Sequence, residues 1–169
     1  MRRLFLMLLL VALLVSPTVA VARDQVAGDG SLVVTDAWVR QIVVQGSGVI
    51  FGHIDSGTLT VYSYDPADTR APQVSGAVAK VSGTTVRYTG NDVRFLFPNG
   101  HYLLKLEGGG IDISAVGRGT VTASGLGTED DGTLAINGNK PQKLGFISSL
   151  ALFGTTSLVP LASTSRTAH

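Results

Sequence analysis

Apolar and polar positions follow two patterns along this chain. Leu4 to Val15 is an unbroken apolar run. Beyond residue 22, apolar residues come in short runs of five to eight, bounded by Gly, Asn, Asp or Pro. No later segment keeps apolar residues at helical spacing over three turns. Alternation dominates instead, which predicts strands with one buried face.

Residues 48–61 read GVIFGHIDSGTLTV and residues 110–123 read GIDISAVGRGTVTA. Aligned at an offset of 62, residues 39–63 match 101–125 without a gap. Ile42 and Val44 fall opposite Leu104 and Leu106, and both pairs keep a half-buried alternation. Gly46-Ser47 aligns with Gly108-Gly109, and Asp55-Ser56 with Gly117-Arg118. These dipeptides suit hairpin turns, where positive φ is needed. Val49 and Phe51, or Ile111 and Ile113, are expected on the buried face of the next strand. Leu59 and Val61, or Val121 and Ala123, follow in the third. Phe51 and Ile54 are three apart, as are Ile113 and Val116, so neither pair shares a face of a regular strand. A β-bulge at Gly52-His53 and at Ser114-Ala115 restores the facing.

Further strands are expected at Ser31 to Thr35 and Asp92 to Phe97, with a turn at Pro98-Asn99-Gly100. A hairpin pairs Ala77 to Val81 with Thr85 to Tyr88 across Ser82-Gly83-Thr84. Strands near Thr133 to Ile136 and Lys143 to Ile147 close the unit. The expected fold is all-β: a sandwich or barrel of about eleven short antiparallel strands from two related meanders, with no helix in the mature domain.

Residues 1–22 carry a different message. Arg2 and Arg3 precede the apolar run, Pro17 ends it, and Ala20-Val21-Ala22 has the small-x-small form of a signal-peptidase site. The run is 12 residues long, against roughly 20 for a membrane span. This reads as a signal peptide cleaved after Ala22, with export and no membrane span afterwards. A single domain over 23–154 follows, with the internal repeat inside it. Residues 155–169, rich in Ser and Thr, read as a disordered tail. Removing Arg2 and Arg3 leaves 11 basic residues against 12 acidic ones, a formal charge of −1. That balance argues against nucleic acid as a partner. The chain has no Cys, which excludes disulfides, thiol catalysis and zinc–thiolate sites.

Candidate chemistry is sparse. Of three histidines, His169 is terminal, His53 falls at the expected bulge and His101 opens a strand. None lies in a G-x-S-x-G or H-E-x-x-H context. Glu107 and Asp112 flank the expected Gly108-Gly109 turn, which would set two carboxylates across a hairpin from each other. The acidic stretch Glu129-Asp130-Asp131-Gly132 lacks the spaced oxygens of a calcium loop. No catalytic residue, metal site or cofactor is therefore assigned. Thr58, Thr60, Tyr62 and Tyr64 fall on one side of a strand. Tyr62 and Tyr64, with Trp38, are the candidate ligand-binding residues, since such rings offer apolar area with a polar tip.

The segments HYLLKLEGGG (101–110) and IDISAVGRGTV (111–121) resemble uncharacterised exported glycine-rich all-β proteins of actinobacteria. The resemblance implies an exported β scaffold and no particular activity. The expected function is a non-enzymatic β-domain in the cell envelope or extracellular space, in contact with cell-wall glycan or protein. The alternative is an extracytoplasmic hydrolase whose site forms only in the fold.

Overall fold

The computed structural model describes residues 28–67, 69–127, 131–145 and 149–154. They form one antiparallel sheet of seven strands: β1 (Gly30–Pro66), β2 (Gln73–Ser82), β3 (Thr85–Phe97), β4 (Gly100–Gly125), β5 (Thr133–Ile136), β6 (Gln142–Lys143) and β7 (Ser149–Phe153). No helix occurs among the described residues. The all-β antiparallel class is as expected, but the strand count is seven rather than eleven. β1 runs for 37 residues and β4 for 26. The dipeptides read as turns, Gly46-Ser47, Asp55-Ser56, Gly108-Gly109 and Gly117-Arg118, all lie inside these two strands. The β2–β3 hairpin does turn at Gly83, whose φ is 60°. The expected signal peptide and tail lie outside the described residues.

Closure comes from winding. Along one edge of β1, residues 30–47 pair with 117–101 of β4; along the other edge, residues 39–66 pair with 125–100. β4 therefore flanks β1 on both sides. Ile42 pairs with Leu106, and Leu106 pairs with Leu59. β1 thus returns beside itself after 17 residues, two strand spacings or about 10 Å further along the coil. β3 and β2 extend the sheet beyond β1, β7 lies beside β4, and β5 pairs with the first residues of β1.

Winding stacks the buried residues in rows across the strands. Ala123, Ile42, Leu106 and Leu59 form one row, and Val121, Val44, Leu104 and Val61 the next. Leu32, Ala115, Ile50 and Phe97 form a third. Each large aliphatic side chain buried this way contributes about 1.5–3 kcal/mol. With no disulfide to help, this core carries the fold.

A corner crosses the sheet. Ile111, Ile54 and Val93 pair in one row, and beyond the glycine row Gly108, Gly57 and Gly90 the residues Leu106, Leu59 and Tyr88 pair on the same face. The first and third rows are five residues apart on all three strands, an odd spacing that an unbroken strand does not allow. Each strand therefore adds a residue at the same level: Asp55-Ser56 in β1, Gly109-Gly110 in β4 and Asn91-Asp92 in β3. Gly110 has φ 62° and Asp92 φ 59°. Because neighbours bulge together, the β1–β4 register is the same before and after the corner (Ile54↔Ile111, Ser56↔Gly109).

The parity break is real but sits elsewhere than at Gly52-His53 and Ser114-Ala115. Gly48↔Gly117 through Ile54↔Ile111 pair without a shift. Ile50 is buried and Phe51 is 49% exposed, so Phe51 faces outwards and no bulge is needed to place Ile54 inside. In the second copy Ile113 and Ala115 are buried, and Val116 faces out.

The two copies of the repeat are antiparallel partners. Gly46 pairs with Gly119, and their counterparts Gly108 and Gly57 also pair; Val44↔Val121 is matched by Leu106↔Leu59. The ladder therefore has a local pseudo-twofold. At these glycine pairs the strands approach closely: a Cβ on Gly46, Gly57, Gly108 or Gly119 would collide with a backbone oxygen of the facing strand. That close approach accounts for the glycines shared by both copies.

Candidate functional site

The outward faces of β3, β1 and β4 form a regular grid beside the corner. Leu96, Phe51, Ser114, Val33 and Ala135 lie in one row across β3, β1, β4, β1 and β5. Phe51 and Val33 are 49% and 41% exposed. The adjoining row is polar: Arg94 pairs with His53, and His53 with Asp112. The two rows bound a groove of about 530 Å³, lined chiefly by Val33, Thr35, Phe51, His53, Arg94 and Asp112.

The corner fixes the polar side of this groove. Asp92, held at positive φ by the bulge in β3, lies 2.8 Å from His53 Nε2. The same oxygen accepts a hydrogen bond from Arg94 Nε at 3.0 Å. His53 Nδ1 lies 3.5 Å from Asp55 Oδ1. The Asp36 amide, also at a positive φ, donates to Asp112 Oδ1 at 2.9 Å. Hydrogen bonds from Arg94 first, then His53, hold the Asp92 carboxyl below its ordinary value. These groups are exposed, so the bonds set orientation more than stability.

Acid–base chemistry at this arrangement would fall to His53. A general base needs one ring nitrogen free for the nucleophile's proton. Both nitrogens of His53 face carboxylates. His101 is exposed at the start of β4. No group of three or more His, Asp or Glu fit for a metal ion occurs among the described residues. Glu107 and Asp112 do not face each other, because the strand continues through Gly108-Gly109. Glu107 pairs opposite Thr58 and bonds Lys105 at 2.9 Å, while Asp112 lies opposite His53 beyond the corner. Glu129 and Asp130 lie outside the described residues. Asp131 is buried and accepts the Gly127 amide at 2.6 Å, a loop clamp.

The aromatic candidates are not brought together. Tyr64 is half-buried; its hydroxyl donates to the Asn99 carbonyl at 2.8 Å and its ring meets Phe97 edge-on at 5.1 Å. It anchors the Pro98-Asn99-Gly100 turn. Tyr62 is exposed at a register shift between Val61 and Ser63, which turns Tyr64 to the other face. Trp38 is exposed and its ring lies over Gly109, with Cδ2 2.7 Å from where a Cβ would stand. Thr60 is buried between cross-strand partners Arg87 and Lys105. Phe51 was expected on the buried face and stands exposed. The signal that finds it is Ile50, Gly52 and Ile54 in unbroken alternation.

A larger hollow of about 910 Å³ is lined by Gln45, His101, Arg118, Asn137, Phe153 and Gly154. No protein-family model, curated protein or solved structure matches this chain.

Proposed function

We propose that this chain is an exported, non-enzymatic β-domain with a binding role in the cell envelope or extracellular space. The export reading rests on the basic, apolar and small-residue succession over residues 1–22. The observation that carries the binding reading is the groove beside Phe51. Its apolar row is exposed on a sheet, and its polar row is already oriented by internal hydrogen bonds. Preorganised side chains on a rigid sheet lose little freedom when a ligand docks. The hydrolase alternative finds a His–Asp pair at His53 and Asp92, but the other ring nitrogen faces the Asp55 carboxylate at 3.5 Å.

Retention of the secreted chain, residues 23–169, on purified cell wall and on immobilised secreted proteins tests the reading. Saturable retention at micromolar concentration is expected. A chain that elutes unretained from every matrix, or that hydrolyses ester or glycoside substrates with loss of activity in His53→Ala, refutes it.

A further inference from the structure

We propose that the groove beside Phe51 is a saccharide subsite that seats a neutral β-linked pyranose. The inference rests on the binding reading above and names its ligand class. A pyranose with equatorial hydroxyls is two-sided: its face is C–H and its edge is hydroxyl. The groove is two-sided in the same sense. Phe51 and Val33 flank Ser114 in the apolar row, and the aromatic ring supplies a flat apolar platform. Arg94, His53 and Asp112 run alongside in the next row.

The polar row suits hydroxyls rather than an anion. A hydroxyl both donates and accepts, so it profits from a carboxylate and a guanidinium side by side. Asp112 accepts the Asp36 amide through Oδ1, which leaves Oδ2 for a ligand hydroxyl. Arg94 engages Asp92 through Nε, which leaves its terminal nitrogens to donate. Arg94, His53 and Asp112 line the groove, and Asp55 and Asp92 contact His53 just outside that lining, so three carboxylates stand against one guanidinium and His53 around it. That excess of negative charge disfavours phosphate, nucleic acid and anionic lipid. The groove volume of about 530 Å³ falls within the range of small-molecule clefts, about 300–1,000 Å³.

The test is titration of the secreted chain with chitotriose and with cellotetraose, followed by calorimetry or amide chemical shifts. Saturable binding to at least one is expected, with shifts centred on residues 33, 51, 94 and 112. Phe51→Ala is expected to weaken it at least tenfold, and Asp112→Ala several-fold, while Val78→Ala on the distant edge strand leaves it unchanged. Melting curves of each variant establish that it is folded. Absence of saturable binding to both saccharides overturns the inference, as does equal binding by Phe51→Ala. Self-association that Phe51→Ala abolishes also overturns it, since the groove is then an interface between copies. If the chain stays on cell wall or protein but Phe51→Ala is retained equally, the inference falls and the binding role stands. If nothing retains the wild-type chain, the binding role falls as well.

Discussion

Ile50 and Phe51 are adjacent, yet the winding of β1 gives them opposite fates. Ile50 is fully buried between Ala115 and Phe97, whereas Phe51 is 49% exposed on the outer face. Ile50→Ala removes three carbons from the core, worth about 2.4 kcal/mol at about 0.8 kcal/mol for each. The cavity left beside Leu32, Ala115 and Phe97 adds to this, for a total of about 3–4 kcal/mol. Phe51→Ala removes a larger side chain but opens no cavity, and is expected to cost about 1 kcal/mol or less. Urea unfolding separates the two. With a slope of about 1.5–2 kcal/mol/M, the midpoint falls by about 2 M in the first variant and by about 0.6 M or less in the second. A Phe51→Ala loss equal to or larger than that of Ile50→Ala refutes the assigned phase of β1 and restores a bulge at Gly52-His53.

The corner makes a second prediction. Gly110→Ala forces a Cβ into a left-handed position, with the Asp55 Cβ 2.7 Å away, and is expected to cost about 2–3 kcal/mol; Gly83→Ala has a similar φ but open space around it and is expected to cost about 1 kcal/mol. Equal melting temperatures for the two variants contradict the corner. Asp92 is depressed in the folded chain by Arg94 and His53. Its contribution is therefore present above the unfolded aspartate value of about 3.9 and is lost as pH falls through the lower folded value. A carboxyl titration by NMR is expected to give Asp92 a midpoint below that of an unfolded aspartate, and Arg94→Ala is expected to raise it; no rise refutes the assignment. Trp38 is the one tryptophan in the chain, so its emission reports on Gly109. Gly109→Ala displaces the ring, and an unchanged spectrum in a folded variant contradicts the packing.

Strand periodicity was legible because alternation is local. Val44, Leu104, Leu106, Leu59 and Val121 are all buried as the pattern requires. The hairpin at Gly83 was legible too, since it depends only on neighbours in sequence. Asp55-Ser56 and Gly108-Gly109 were not read correctly. A bulge and a hairpin turn draw on the same small or polar residues tolerant of positive φ. What distinguishes them is whether the neighbouring strand bulges at the same level, which one strand's sequence does not reveal. The misplacement of Phe51 has the same origin. Phe51 is larger than Ile50, but burial follows the phase set at the corner, five residues further on. The winding itself leaves no repeat of 17 residues, because β4 supplies the intervening passes from a distant part of the chain. The groove was hidden with it: His53, Asp92 and Asp112 meet only because three strands turn the corner together. The offset of 62 was visible; that its two copies pair with each other was not.

Both the core and the groove depend on β4 lying on the two sides of β1. Val43 pairs with Lys105 on one side and with Thr122 on the other. Facing residues of antiparallel strands have Cα atoms about 4.5–5.5 Å apart, within the span of a disulfide, and the chain has no cysteine to interfere. The double substitutions Val43→Cys with Lys105→Cys, and Val43→Cys with Thr122→Cys, therefore test the winding directly. Intramolecular disulfides are expected in both folded variants on mild oxidation, seen as a loss of two mass units and of free thiol. A disulfide that forms in one variant but not in the other contradicts the wound ribbon.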